Sequence, residues 1–168
     1  MHFVGNSLGG LVGYELLEME PARLASLATF GTTAELHASR AVTWFLLGTE
    51  RLLGPRPLAW LTSKTASKDP AVARRVGQMY RDVDRKALLV ITKNIANYDY
   101  TGTLRHHDLP LLLLRGEHDR EINANLDSTL AVLAQKPGAR VVDLESAGHF
   151  ANMEAPERFN RALLDFLP

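Results

Sequence analysis

The sequence contains no cysteine. Disulfides, thiolate metal centres and cysteine nucleophiles are therefore excluded. It also lacks an excess of either charge: 19 lysines and arginines face 19 aspartates and glutamates in 168 residues. Such a balance gives no reason to expect a nucleic-acid partner, which calls for a clustered basic surface. Long apolar runs are missing as well. Val42 to Leu47 falls far short of a membrane span, so no membrane partner is expected. No basic segment followed by an apolar stretch and a cleavage site opens the chain, which leaves cytoplasmic as the default location. Repeats and low-complexity segments are absent. What is there is ordinary globular material, 46% hydrophobic and 23% charged, long enough for one domain with a substantial core.

The order of elements points to an α/β fold with a parallel sheet. His2 to Val4 reads as a short strand running into Gly5-Asn6-Ser7-Leu8-Gly9-Gly10. A helix follows, with Leu11, Tyr14, Leu16 and Leu17 on or near one face, until Pro21 breaks the pattern. Leu24 to Phe30 is a second strand, ended by Gly31. Strand, turn, helix, strand is the rhythm of a parallel sheet. From about Thr32 to Thr103 the pattern is helical, with no strand expected. Val42 to Leu53 forms an apolar patch broken by Gly54-Pro55-Arg56-Pro57, and helices follow around Pro70 to Tyr80 and Arg85 to Asn97. This stretch reads either as a helical cap or as ordinary crossover helices. The α/β rhythm resumes at Pro110 to Leu114, a continuous apolar run suited to a strand buried on both faces. Asn123 to Gln135 reads as one helix, Arg140 to Leu144 as the last strand, and Pro156 to Leu167 as a terminal helix with Phe159, Leu163 and Phe166 inward.

Three residues carry the candidate chemistry. Gly5-Asn6-Ser7-Leu8-Gly9 fits G-x-S-x-G between an apolar strand and a helix, the setting of a nucleophile elbow. A serine on so tight a turn needs small neighbours two residues away, which Gly5 and Gly9 supply, while Gly10 lets the helix approach the sheet. The backbone N–H of Leu8, at a helix start, is a ready oxyanion donor. A serine hydroxyl needs a base. Of six histidines, His149 follows Gly148 on the loop after the last strand, at the sheet end where parallel folds place their crevices. His106 and His107 precede a strand, at the wrong end; His118 reads as a loop residue; His2 and His37 have no supporting pattern. The base needs a carboxylate to fix its tautomer. Asp119 lies just past the buried Leu111 to Leu114 strand, with Glu117 as its nearby competitor.

With these residues in hand, the chain resembles the α/β-hydrolase superfamily. The matching stretches are HFVGNSLGG, LPLLLLRGEHDREIN and ESAGHFANMEAPERFNRALLDFL. Serine, aspartate and histidine also stand in that superfamily's chain order. GNS-x-GG, together with GH-x-x-x-x-E and a following FN, is similar to meta-cleavage-product C–C hydrolases. Those usually carry tryptophan after the histidine, where this chain has Phe150. GNSLGG is also similar to esterase-like members.

The resemblance implies a serine hydrolase acting on a small-molecule carboxylic ester or similar acyl bond. Ser7 would be nucleophile, His149 base and acid, and Asp119 its orienting carboxylate; no metal or cofactor is implied. C–C bond hydrolysis is the alternative within enzymes, and a non-catalytic, ligand-binding remnant the alternative outside them. Trp44, Phe45, Trp60 and Phe150 are candidate pocket residues. In the superfamily the elbow follows about the fifth strand. The chain is therefore expected to correspond to the C-terminal half of that fold, with a helical cap at about 32–103, and to lack the second oxyanion N–H. Self-association through an exposed sheet edge is expected as well.

Overall fold

In the computed structural model, which describes residues 1–39, 44, 48–49, 52, 55–81 and 83–167, four strands pair side by side. They are β1 (His2–Asn6), β2 (Ser26–Phe30), β5 (Leu111–Gly116) and β6 (Ala139–Leu144), in the order β1-β2-β5-β6. Every pairing is parallel. Asn6 stands opposite Phe30, Phe30 opposite Leu114, and Gly116 opposite Leu144.

The apolar run at 111–114 explains the layering. Successive side chains of a strand point to opposite faces. Leu111 and Leu113 enter a core with Tyr14, Leu17, Leu27, Leu104, Leu126 and Val132. Leu112 and Leu114 enter another with Ala28, Phe30, Leu144, Phe159 and Phe166. The first core is closed by α1 (Leu8–Met19), α5 (Thr101–His106) and α7 (Asp127–Leu133), the second by α9 (Pro156–Phe166). Each fully buried leucine contributes about 1.5–3 kcal/mol of transfer free energy, so this strand is the strongest single anchor of the sheet.

Two compact units result. One comprises Met1–Glu35 and Asp99–Pro168, the other Leu36–Tyr98. The bounds of the second lie inside the 32–103 read from the sequence: Thr32, Thr33, Ala34 and Thr101 are buried and fall in the α/β unit. There Thr129 Oγ1, 1% exposed, accepts the Ala34 N–H at 2.8 Å. The described helices of Leu36–Tyr98 are α2 (Pro55–Thr65), α3 (Pro70–Arg81) and α4 (Arg85–Ile95). Asp84 caps α4, accepting from Ala87 N at 2.8 Å. Where α2 meets α3, Gly77 lies so close to Ser63 and Ala59 that no Cβ would fit. No described helix is long and apolar enough to cross a membrane.

Several sequence readings need correction. Pro55 and Pro57, read as part of a break, lie in the first turn of a described helix, where spare N–H groups tolerate proline. The middle of the chain does contain strands, β3 (Glu35–His37) and β4 (Asn97–Asp99), which pair in a two-stranded sheet. At three residues each, they are too short to show alternation. The helix read over Asn123 to Gln135 is shorter, α7 (Asp127–Leu133), and Asn123 instead ends a separate short helix, α6 (Arg120–Asn123). Asn123 Nδ2 donates to Gly116 O at 2.9 Å and Asn125 Nδ2 to Glu121 O at 2.8 Å, local bonds that compete with a continuous helix. Most of the patch at Val42 to Leu53 lies outside the described residues.

Leu114 is fully buried. Leu114→Ala should lower unfolding free energy by about 2–5 kcal/mol, read as a reduced urea midpoint at unchanged slope.

Candidate active site

Ser7 follows the last residue of β1 and forms the N-cap of α1. Its φ is 50° and ψ −118°, a left-handed backbone that costs a non-glycine residue on the order of 1–3 kcal/mol. Hydrogen bonds hold it there. Ser7 N donates to Phe30 O at 3.0 Å, and Ser7 O accepts from Gly10 N at 2.9 Å. The small-residue demand is real at Gly5, where a Cβ would overlap the Gly9 carbonyl. It takes a different form at Gly9, whose own Cβ would meet nothing within 4 Å. What crowds the turn is the backbone of Gly9. Gly10 approaches Thr32 too closely for any side chain, which lets α1 lie against the sheet end. Leu8 is the first residue of α1, so no helical carbonyl lies behind its N–H.

Asp119 stands at the N-cap position of α6 on the turn after β5, makes no side-chain bond to that helix, and is 7% exposed. Its Oδ2 accepts a hydrogen bond from His149 Nδ1 at 2.9 Å. A carboxylate only accepts, so Nδ1 carries the proton and Nε2 is left as the basic nitrogen. The two loops are laced together further: His118 N donates to Ala147 O at 2.7 Å and Glu117 N to Leu144 O at 3.1 Å. Against Gly116, the Gly148 carbonyl leaves no room for a Cβ.

Two neighbouring carboxylates, the competitor Glu117 and Asp143, have other partners. Glu117 Oε2 accepts from Ser146 N at 2.8 Å, a residue with φ of 61°. Asp143 forms a two-pronged pair with Arg115, at 2.5 and 2.9 Å. The side-chain hydrogen bond from Arg115 holds the Asp143 carboxyl below its ordinary pKa, and the same bond raises that of Arg115. Among the other histidines, His2 Nδ1 pairs with Ser26 Oγ at 2.8 Å, His37 Nδ1 with Asn97 Oδ1 at 2.6 Å, and His106 packs edge-on against His107.

Of the candidate pocket residues, Phe150 packs edge-on against His149, with ring centroids 5.0 Å apart. Trp44 and Trp60 are exposed residues of the helical unit. Trp60 lines a cleft of about 340 Å³ with Arg56, Ser63, Arg74, Gln78 and Arg81. Phe45 lies outside the described residues. No group of three or more histidine, aspartate or glutamate side chains among the described residues could hold a metal ion.

Two residues escaped the sequence reading. Asn6 Nδ2 donates to the carbonyls of Phe30, at 3.2 Å, and His149, at 2.9 Å. Glu154 Oε2 accepts from Gly148 N at 2.6 Å. The glutamate five residues after the histidine was visible as a spacing, but nothing in the spacing said that its carboxylate caps the histidine's own loop.

The profile of the alpha/beta hydrolase family matches residues 2–162. The chain belongs to the α/β hydrolase family. Over 179 aligned residues it is 31% identical to RutD of Pseudomonas savastanoi pv. phaseolicola, a protein provisionally named a carbamate hydrolase, covering 99% of this chain and 67% of that one. It is 27% identical to the carboxylesterase YbfK of Bacillus subtilis, covering 99% of this chain and 57% of that protein. A hydrolase structure from Pseudomonas aeruginosa PA01 superposes with a TM-score of 0.81 at 27% identity, over 98% of this chain and 63% of that one. The chain thus spans about two thirds or less of the length of these three relatives.

Placement of the acids yields a paired prediction. Asp119→Asn should leave the fold intact and lower turnover by about 10⁴-fold through the wrong imidazole tautomer. Asp143→Asn should leave turnover near normal and cost well under about 1 kcal/mol of stability, because its pair with Arg115 is largely solvated. A depressed carboxyl pKa stabilises above the unfolded value and loses that contribution as pH falls through the folded one. The stability difference between wild type and Asp143→Asn should therefore disappear in acid, as measured by urea unfolding across pH.

Proposed function

We propose that this chain carries the catalytic triad of a serine hydrolase that cleaves a small-molecule carboxylic ester or similar acyl bond. The observation that carries the reading is the left-handed Ser7 at the strand-to-helix turn, at the same end of the sheet as the His149–Asp119 pair.

In this reading Ser7 Oγ attacks the substrate carbonyl carbon while its proton passes to His149 Nε2. Asp119, hydrogen-bonded to Nδ1, stabilises the imidazolium that results. The carbonyl oxygen becomes an oxyanion facing the Leu8 N–H, a donor of a kind worth about 2.7–4 kcal/mol in the transition state. Collapse expels the alcohol, which takes the proton from His149 Nε2 and leaves an acyl-Ser7 ester. Water, deprotonated by the same nitrogen, then attacks the ester and releases the acid and free Ser7. The names of RutD and YbfK support acyl chemistry, since carbamate and carboxylic ester cleavage both begin at an acyl carbonyl.

Phe150 beside the histidine, where C–C hydrolases usually have tryptophan, favours ester cleavage over C–C cleavage. A fluorophosphonate probe should label Ser7 in the full chain. Ser7→Ala should abolish labelling and lower turnover by about 10⁶-fold. Labelling that persists in Ser7→Ala would identify another nucleophile. Short p-nitrophenyl esters should turn over faster than a meta-cleavage dienoate, and the reverse ranking would favour C–C hydrolysis.

A further inference from the structure

His149 lies on the loop after β6, at the opposite edge of the sheet from β1, which leads into Ser7. With β2 and β5 between them, β1 and β6 are about 14 Å apart at ordinary strand spacing. No strand pairing joins β1 to the histidine loop, so something else must hold that loop over the elbow. Asp119 holds the ring from β5. From the side of β1, the bond to the histidine's backbone comes from the Asn6 amide.

That side chain has two amide hydrogens, and the geometry uses both. One goes to Phe30 O, which also accepts the Ser7 N–H; the other goes to the carbonyl of His149 itself. Asn6 and Ser7 thus share one acceptor at the end of β2. Gly31, just beyond it, has φ of 58°, and a Cβ there would lie 2.7 Å from Asn6 Nδ2, 2.8 Å from His149 O and 3.1 Å from His149 Cε1. The elbow, the end of β2 and the histidine are packed around a single amide group. Aspartate at this position would present carboxylate oxygens to two carbonyl oxygens, and alanine would present no donor at all.

We propose that Asn6 is a positioning residue for His149, with its amide setting where the imidazole stands relative to Ser7. The inference rests on the serine-hydrolase reading for its effect on rate, while the tether itself can be observed independently. Displacing a reacting group by about 1 Å costs on the order of 10²-fold. In the full chain, Asn6→Ala and Asn6→Asp should each lower kcat and the rate of fluorophosphonate labelling by about that factor, with KM little changed and the far-UV circular dichroism retained. The His149 Nδ1 proton, observed by nitrogen-15-edited NMR, should shift or broaden in both variants. Wild-type kcat with an unmoved Nδ1 resonance in either folded variant would overturn the proposal. Loss of the fold in both variants would also overturn it, by making Asn6 a purely structural residue. A wild-type chain that takes no probe at Ser7 would instead sink the hydrolase reading. The NMR comparison would then still decide whether Asn6 holds the histidine.

Discussion

The whole arrangement depends on the parallel pairing of four strands. In a parallel sheet all strands finish at the same end, so turns that follow different strands meet there. Ser7 follows β1, Asp119 follows β5 and His149 follows β6. Reversing any one of these strands would carry its residue to the far side of the molecule. Burial of both faces of β5 is what fixes the pairing. Leu111 and Leu113 belong to one core and Leu112 and Leu114 to the other. A slip of one residue would exchange the faces and move the Asp119 turn by about 3.3 Å, further than a hydrogen bond can stretch.

Where the turns converge, backbone packs directly on backbone. Gly5 lies against Gly9, Gly116 against Gly148, and Gly31 against His149. At each of these points a Cβ would collide with a neighbour, so glycine is what lets the turns approach. The left-handed strain at Ser7 persists because its N–H and C=O are both engaged and because Asn6, immediately before it, is held at its side chain. Asn6 and Glu154 grip the histidine loop at adjacent residues, one at the carbonyl of His149 and the other at the N–H of Gly148.

How much of this could be read in advance varied with the physical signal. The strands read at 2–4, 24–30, 110–114 and 140–144 overlap the observed β1, β2, β5 and β6, because apolar stretches bounded by glycine and proline leave few alternatives. The elbow was legible because steric crowding demands glycine, although at Gly9 the crowding atom is the backbone. Asp119 and His149, read as acid and base, were singled out by their position after strands, and a 2.9 Å bond joins them. The three-residue β3 and β4 were missed because alternation needs more length than they have. The break between α6 and α7 was missed because it comes from asparagine side chains bonding to particular carbonyls. Asn6 and Glu154 escaped for a related reason: their partners are backbone atoms, which every residue has, so no sequence pattern marks them.

The bond between Asn6 and His149 spans 143 positions of the chain. Pairing of β2 with β5 likewise joins segments on either side of the entire helical unit. Contacts of such long sequence separation require loop-closure entropy to be overcome before they return any stability, and they slow folding accordingly. During synthesis Asn6 and Ser7 leave the ribosome well before His149, which follows Asn6 by 143 positions. Until then the Asn6 amide lacks the His149 carbonyl that later accepts from it, and only the Phe30 carbonyl is at hand. The site is closed by contacts between segments far apart in sequence, so it cannot assemble until both parts of the α/β unit have come together.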